Sequence, residues 1–562
     1  MNSRMVLKFL AIATTVIGMA NAQPLSKEAF RLPPRVGILG SVPLSMEDAI
    51  AQALANNPDI RNARIDRSIA QFNITAAKGV FDPRLNAESY YEKAVTPVSS
   101  SIGGSDSGKL TQKDFSVAPN VTGLLPWGGG DYRVAVSSRK ITSDNSFLTL
   151  NPQFPTAITA AVTQPLWRGL LYDENRRRID VEVQNRLLTE EQFRERVMDI
   201  TAQTEKAFWE LLFAVRNLEV LTQGAELARL QLESNRRMAA QDVLAPIDVI
   251  EAENQFAVLQ QNAFRAQEGL SRAENALKAL MLPTRSSPLW AMALIPEAPP
   301  PPNTLTGILE EATGDALAKR PELAQARISE DISRTNTRLS REQVKPEVNF
   351  VGSYTSSGLA GTELVTQSNP FTGGLDGLFQ RINDLSLLQG LPALPPISIG
   401  GSGGGVPPIL VGGYGQSFAN LANRRFPTFR VGVQISLPIR NRTAEANLGK
   451  SLAEERQAEN RRELVELQVE ANVRSTIQGV ESSKSALSAA TAARDSAEEQ
   501  YASEVRQFQA GTSTVFLVFQ RQTAMINARN AELRAQSDLG SAVSDFERAT
   551  GRTLSAHNIQ ID

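Results

Sequence analysis

Residues 53–64 read ALANNPDIRNAR and residues 316–327 read ALAKRPELAQAR, so the chain writes nearly the same segment twice, 263 positions apart. At that offset Pro58 meets Pro321, Ala63 meets Ala326, Arg64 meets Arg327 and Pro83 meets Pro346. A repeat this long predicts two copies of a domain, not a solenoid of short units. Each copy should open with a short helix that stops before its proline, because the residue ahead of proline is pushed out of the helical region. Ser45-Met46-Glu47-Asp48 fits a capped start for the first one. A second helix is expected at roughly 59–80 and 322–343, after which Pro83 and Pro346 hand over to extended chain.

The extended segments end in matching strands. VGVQISLPI at 431–439 puts Val431, Val433, Ile435, Leu437 and Ile439 on one face and Gly432, Gln434, Ser436 and Pro438 on the other. ITAAVTQPL at 158–166 repeats the pattern with Ile158, Ala160, Val162 and Leu166. Period-two alternation means that one side meets something apolar and the other something polar. By itself this pattern favours a soluble sandwich; in a membrane barrel the apolar side would face lipid. LLPWGGGDYRVAV reads as a turn with flanking strands, an additional hairpin for the first half. SIGGSDSG and ISIGGSGGGVPP read as long loops.

After each strand the chain loses proline altogether, from Leu166 to Ala245 and from Ile439 to the end. Phe193, Val197, Ile200, Ala207 and Leu211 form one heptad-like seam, and Val469, Val473, Ile477, Val480 and Leu487 form another. A helix over 441–505 would be roughly 100 Å long. It should turn at Gly511 and return on a seam of Ala528, Ala531, Ala535, Ala542, Phe546 and Ala549, small enough for close helix approach. The first half should turn between Asp242 and Pro246 and return to about Leu282. A returning helix of roughly 50 Å, stacked on a preceding one of roughly 33 Å, nearly matches the long helix. Each half is then two strands feeding a helical hairpin.

Composition narrows the function. Net charge is −2, which gives no basic field for nucleic acid. Cysteine is absent and His557 is the single histidine, which excludes disulfides, thiolate metal sites and Ser-His-Asp chemistry in practice. LGKS at 448–451 is a poor phosphate loop, since Ala444 stands where that motif needs glycine. His557 reads as a surface residue without the acidic cluster of a metal site. No catalytic site and no cofactor are expected. Residues 1–22 resemble a secretory signal, with Arg4 and Lys8 ahead of FLAIATTVIGM and Ala20-Asn21-Ala22 at the cleavage point. The apolar run is too short to span a bilayer, which takes about 20 residues. Cleavage before Gln23 removes two positive charges and leaves −4, and with no cysteine there a lipid-anchored terminus is not expected. The expected organisation is a signal at 1–22, a first repeat at 23–282, a Pro-rich linker at 283–304 around PEAPPPP, a second repeat at 305–550 and a tail at 551–562.

Read together, AIAQALANNPDIRNAR, VTQPLWRG, VGVQISLPIRNR, RQFQAGTSTVFLVFQRQ and DFERATGRTL resemble the TolC-like family of outer-membrane efflux proteins over almost the whole chain after the signal. The resemblance implies an α+β, internally duplicated protomer and a homotrimer. The three protomers would share one β-barrel in the outer-membrane lipid, continued by a long periplasmic α-helical barrel. It implies a passive exit duct for tripartite efflux or type I secretion, joined through a periplasmic adaptor to an inner-membrane pump. The alternative from another class is a periplasmic coiled-coil adaptor or scaffold.

The resemblance also places the periplasmic gate at the hairpin tips. The second tip is FQAGTSTVFLVFQ at 508–520, with Gly511 at the bend and Phe516 beside it. Where family members often carry constricting acidic residues, this chain has Leu517 and Gln520. Matching Val249 to Val518 puts Asp248 and Glu251 at the equivalent positions of the first tip. The expectation is an acidic constriction supplied by the first hairpin; the alternative is a pair of solvated helix carboxylates.

Overall fold

The computed structural model describes residues 30–99, 108–145, 148–299, 309–364, 373–394 and 406–560. The expected signal, most of the two glycine-rich stretches and Pro300 to Pro302 lie outside the described residues.

Proline and capping residues punctuate the chain as expected. Strand β1 (Gly40–Leu44) leads to helix α1 (Met46–Asn56), where the Ser45 hydroxyl accepts from the Asp48 N–H at 3.1 Å. Asn57 is extended ahead of Pro58, and α2 (Pro58–Lys78) begins at that proline. Then come β2 (Arg84–Pro97), β3 (Lys109–Leu124), β4 (Asp131–Ser143), β5 (Leu150–Gln153) and β6 (Thr156–Pro165). The 66-residue α3 (Glu174–Ala239) and α4 (Pro246–Met281) form the first helical hairpin. Strand β7 (Met292–Pro296), α5 (Leu309–Lys319), α6 (Pro321–Gln343), β8 (Glu347–Gly358), β9 (Gly361–Glu363), α7 (Gly373–Leu388), α8 (Tyr414–Ala422) and β10 (Phe426–Ser436) follow. The 68-residue α9 (Arg442–Gln509) and α10 (Val515–Ala549) make the second hairpin, and α11 (Thr553–Ala556) ends the chain. Helices α5 and α6 start 263 positions after α1 and α2. Among the described residues, no helix is long and apolar enough to cross a membrane.

The chain packs as two units, each drawing on both halves of the sequence. The first unit takes residues up to 57, 200–306 and 476–546. Here β1 pairs in parallel with β7, a strand inside the segment read as a linker. Leu221, Ala225, Leu259, Ala263, Met525 and Ile526 knit α3, α4 and α10 into one core. Gly540 lets α10 approach closely, since a Cβ there would lie 2.2 Å from the Trp209 ring. The Lys278 ammonium and the Glu274 carboxylate are 1% and 0% exposed and lie 2.5 Å apart. Burial without partners would be costly; Lys278 also donates to the Trp290 and Met292 carbonyls, and Arg35 donates to Glu274 at 2.6 Å.

The seams differ in detail from their sequence reading. Phe193, Val197, Ile200 and Leu211 are buried, as are Val469, Val473 and Val480. On α10, however, Ala531 is exposed and Ala528, Ala535 and Ala542 are only half-buried. The buried stripe there is Val518, Gln522, Met525, Ile526, Leu539, Val543, Phe546 and Ala549, of which the last two belong to the expected seam. Larger side chains were available at helical spacing, and they bury more apolar area per turn than alanine does.

The second unit takes residues 58–199, 307–475 and 547–562 and holds the sheet. Its order is β10-β8-β6-β4-β3-β2, with β5 paired to β4 and β9 to β5, and every neighbour in the main path is antiparallel. The first half therefore supplies four long strands and the second half two. The β3–β4 hairpin read from LLPWGGGDYRVAV is present, closed by a 2.7 Å bond from the Leu125 N–H to the Gly130 carbonyl. Strand β10 is shifted from its expected span: it begins at Phe426 and ends at Ser436, so Leu437 and Ile439 lie beyond it.

Register assigns faces. Val433 stands opposite Phe350, Val431 opposite Gly352 and Ile435 opposite Val348. Across the next ladders Tyr354 meets Ala160, Val134 meets Ala160 and Val121, and Leu85 meets Val121. One apolar face thus runs across six strands, giving way to Lys93, Lys113 and Lys140 at the ends of β2, β3 and β4 farther from α2, and its residues Leu85, Tyr91, Phe115, Val134, Phe429, Val431, Val433 and Ile435 are exposed. The other face carries Arg84, Asn86, Asn120, Arg133, Thr159, Asn349, Arg430 and Gln434, with an Arg139–Asp114 ion pair. Within this unit no second sheet covers the apolar face, so the sandwich favoured by the strand pattern alone is not what the described residues form.

The sequence decoys dissolve into helix and cap. LGKS lies inside α9, where the Ser451 hydroxyl meets Ser340 at 2.7 Å and its carbonyl accepts from Thr337. His557, expected at the surface, is instead half-buried at the end of α11, with Nε2 4.0 Å from Glu547.

Candidate functional site

The two hairpin turns are built by one rule. In the first, Asp242 takes a left-handed φ of 56°, and in the second Gly511 takes 75°. The Asp242 N–H donates to Ala239 and the Val243 N–H to Met238; the Gly511 N–H donates to Phe508 and the Thr512 N–H to Gln507. This is the same helix-ending motif twice, 269 positions apart, satisfying carbonyls that a helix end leaves open. At that offset Pro246 corresponds to Val515, Asp248 to Leu517 and Glu251 to Gln520.

The tips belong to the first unit and pack against each other. Leu232, Ala252, Val515 and Phe519 form a buried cluster flanked by Leu244, Val249, Phe256 and Phe508. Gln255 donates to Thr523 at 2.9 Å, and Arg236 pairs with Glu253 across the first hairpin. Ser513 and Arg521 both reach Glu504 in the second. Each tip is therefore tied within itself and to its neighbour.

Asp248 and Glu251 are half-buried, and neither carboxylate has a hydrogen bond or ion pair among the described residues. Their spacing of three puts them on one face of α4. Asp248 sits in the first turn of α4, where Ala245 gives no side-chain cap and a negative charge favours the helix N-terminus. In the second tip the Thr514 hydroxyl accepts from the Leu517 N–H at 3.4 Å, so that turn is capped without an acid. Gln520 is exposed, Phe516 is 57% exposed and Leu517 lies open beside it. The structure adds what the sequence reading passed over: Val243, Ile247 and Ile250 are also exposed at the first tip. Ile247 and Ile250 are three apart, a spacing from which a second apolar spot on α4 could have been read.

The outer membrane efflux protein family matches residues 392–552, a segment running from the chain ahead of α8 to the turn between α10 and α11. Solved structures extend the likeness to nearly the whole chain. The outer-membrane channel OprN superposes with a TM-score of 0.61 at 13% identity, covering 90% of this chain and 89% of that one. The Campylobacter jejuni outer-membrane channel CmeC gives 0.61 at 13% identity over 90% and 86%. The open state of the Neisseria gonorrhoeae outer-membrane channel MtrE gives 0.56 at 16% identity over 91% and 89%. Its fold is that of an outer-membrane efflux channel. No curated protein matches the sequence.

In an efflux-channel fold the tip arrangement has chemical consequences. The first tip offers the unpaired carboxylates of Asp242, Asp248 and Glu251 and an apolar edge, and the second an apolar edge alone. Such a surface can attract cations and grip an apolar partner.

Proposed function

We propose that the protein is a passive exit duct through the periplasm and outer membrane, serving tripartite efflux or type I secretion. The observation that carries this reading is the apolar face continuing across six strands whose outermost members, β10 and β2, have free edges among the described residues. An exposed apolar sheet with open edges is an aggregation hazard in water but the required surface of a barrel in lipid.

Six is an even number, so β10 of one copy would meet β2 of the next antiparallel, as every other neighbour does. Three copies would close a barrel of eighteen strands, about 36 Å across for strands ~4.8 Å apart tilted ~40°. Two strands from each half would have made twelve and a barrel of about 24 Å by the same geometry. The β3–β4 hairpin thus widens the duct. All four joints between sheet and long helices leave from one end: α2 enters β2, α6 enters β8, β6 exits to α3 and β10 exits to α9. That end is the periplasmic one in this reading. The duplicated helical hairpins would supply two equivalent wedges per copy, six around a helical tunnel.

A periplasmic adaptor and an inner-membrane pump are the proposed partners. The exposed Val243, Ile247, Ile250, Phe516 and Leu517 are the proposed grip for the adaptor, and Asp248 with Glu251 the proposed gate. The adaptor alternative leaves the wide apolar sheet without a purpose. Fractionation tests the reading: the protein should sediment with outer membranes and run as a trimer in detergent. Recovery as a soluble periplasmic monomer overturns it.

A further inference from the structure

Helix α8 is amphipathic the wrong way round for a globular protein. Its polar residues Ser417 and Asn420 are 0% and 1% exposed, while Phe418 is 41% exposed and Ala419 and Ala422 lie open. A helix on a water-washed surface does the reverse. The buried polar side is fully engaged. Ser417 Oγ lies 2.8 Å from Thr156 Oγ1. The Asn420 amide donates to the Leu359 and Ile409 carbonyls at 3.0 and 2.7 Å, and Ser356 Oγ donates to the Leu421 carbonyl.

Position agrees with polarity. The Ser417 carbonyl lies 2.1 Å from where a Cβ on Gly358 would be, so α8 presses on the side of the sheet that Gly358 faces. Side chains alternate along a strand, which puts Gly358 on the side of Tyr354, Phe350 and Val348, the apolar side. Thr156 opens β6 and Gly358 closes β8, so this is the end of the sheet opposite the long helices. The open side of α8 therefore continues the apolar face of the sheet at its far rim.

Two arginines follow. Arg424 holds a left-handed φ of 50° at the helix end, with the Arg425 N–H bonded to the Asn420 carbonyl. That conformation costs a side-chain-bearing residue free energy that glycine would not lose. Both guanidinium groups are exposed and unpaired among the described residues. A strained backbone that keeps a free cation in place is an observation from which function is fairly inferred.

We infer that α8 is an interfacial helix of the outer leaflet, its Phe418 side among lipid chains and Arg424 and Arg425 on anionic lipid headgroups. This rests on the membrane reading above and adds to it a lipid-recognition site. Interfacial helices bind by apolar contact together with attraction to anionic headgroups.

The absence of cysteine makes the test direct, because a single introduced cysteine takes an environment-sensitive dye at one place. Dye would be placed by Phe418→Cys, by Ile435→Cys on the sheet and by Ala240→Cys at a tip. The protein would be reconstituted in phosphatidylcholine vesicles containing phosphatidylglycerol, with a nitroxide on one lipid or the other. Quenching is expected at 418 and 435 and not at 240. At 418, nitroxide on phosphatidylglycerol should quench more than nitroxide on phosphatidylcholine. Local enrichment on the order of fivefold per arginine at low salt is expected, vanishing with Arg424→Gln and Arg425→Gln together. Quenching at 435 without quenching at 418 overturns the interfacial helix alone. Absence at both overturns the membrane reading itself. Equal quenching by the two lipids in the unsubstituted arginine background overturns the headgroup site.

Discussion

Asp242 and Gly511 occupy the same left-handed position, at φ 56° and 75°, in two helical hairpins that otherwise turn by identical hydrogen bonds. Glycine adopts this conformation freely, whereas a residue with a Cβ crowds its own carbonyl. Aspartate tolerates it better than most, which explains its presence in the first turn. Asp242→Gly should therefore stabilise the first tip by about 0.5–1 kcal/mol, and Gly511→Ala should destabilise the second by about 1 kcal/mol. Chemical denaturation midpoints at unchanged slope would measure both. Equal and small effects in both turns would mean that neither limits stability.

The sheet faces make a sharper prediction. Val433 and Ile435 point to the apolar side, and Gln434 and Ser436 to the polar side. Val431→Arg, at the middle of β10, should cost about 2–4 kcal/mol of barrel stability and Ile435→Arg, one residue from its periplasmic end, about 0–1 kcal/mol, while Ser436→Arg should leave assembly intact. Heat-resistance of the detergent trimer reads this out. The opposite ranking would invert the faces.

In the first unit, Glu274 and Lys278 are charged groups held in the core by each other, by Arg35 and by two carbonyls. Glu274→Leu leaves the Lys278 ammonium without its counter-charge and should cost about 3–5 kcal/mol. Replacing both, Glu274→Leu with Lys278→Met, should cost less than the single change, since the fully buried ammonium is then gone and only the partly exposed Arg35 loses a partner. Unfolding of the two variants side by side decides the matter.

Asp315 gives a pH dependence in the second unit. Hydrogen bonds from Lys319 and then Arg552 hold its carboxyl below the usual carboxylate value. A pKa lower in the folded state means stability that is present above the unfolded value of about 3.9 and lost as pH falls through the folded one. Asp315→Asn should therefore lower stability at neutral pH and flatten the decline below about pH 4. An unchanged acid limb in the variant would assign that decline to other carboxylates.

Much of this architecture could be read from residue order. Pro58 and Pro321 end helices by sterics that act within two residues, and Gly511 announces its turn for the same local reason. The tip equivalence of Asp248 with Leu517 and Glu251 with Gln520 survives because the turns repeat bond for bond. What escaped depends on distance or on an unusual solvent. Strands β1 and β7 pair residues such as Gly40 and Met292, far apart in sequence and too short to show a period. Helix α8 hides its polar side, so its residues look like those of a loop to anyone expecting water outside. The alanine stripe of α10 misled because small residues at helical spacing resemble a seam, while Met525, Ile526 and Val543 had more area to bury.

The tips should set ion selectivity. In a duct whose narrowest point lies where its helices turn, three copies would bring six carboxylates to the opening, Asp248 and Glu251 from each. Both are half-buried and without partners among the described residues, so in this reading their charge would act on the lumen rather than be spent on an ion pair. Phe516 and Leu517 at the neighbouring tip add apolar surface and no charge. A carboxylate ring attracts cations and repels anions, and salt screens it over about 10 Å at 0.1 M. Asp248→Asn with Glu251→Gln removes the charges while keeping the shapes, so single-channel recordings in planar bilayers should show a lower cation preference and weaker block by multivalent cations. The difference from the unmodified channel should shrink as salt rises, because screening already weakens the ring there. Asp248 also favours the start of α4, so its neutralisation should cost about 0.3–1 kcal/mol of local helix stability without changing conductance on that account. Selectivity that stays unchanged while only stability falls would reduce the pair to helix-terminal carboxylates and move the gate to another part of the duct.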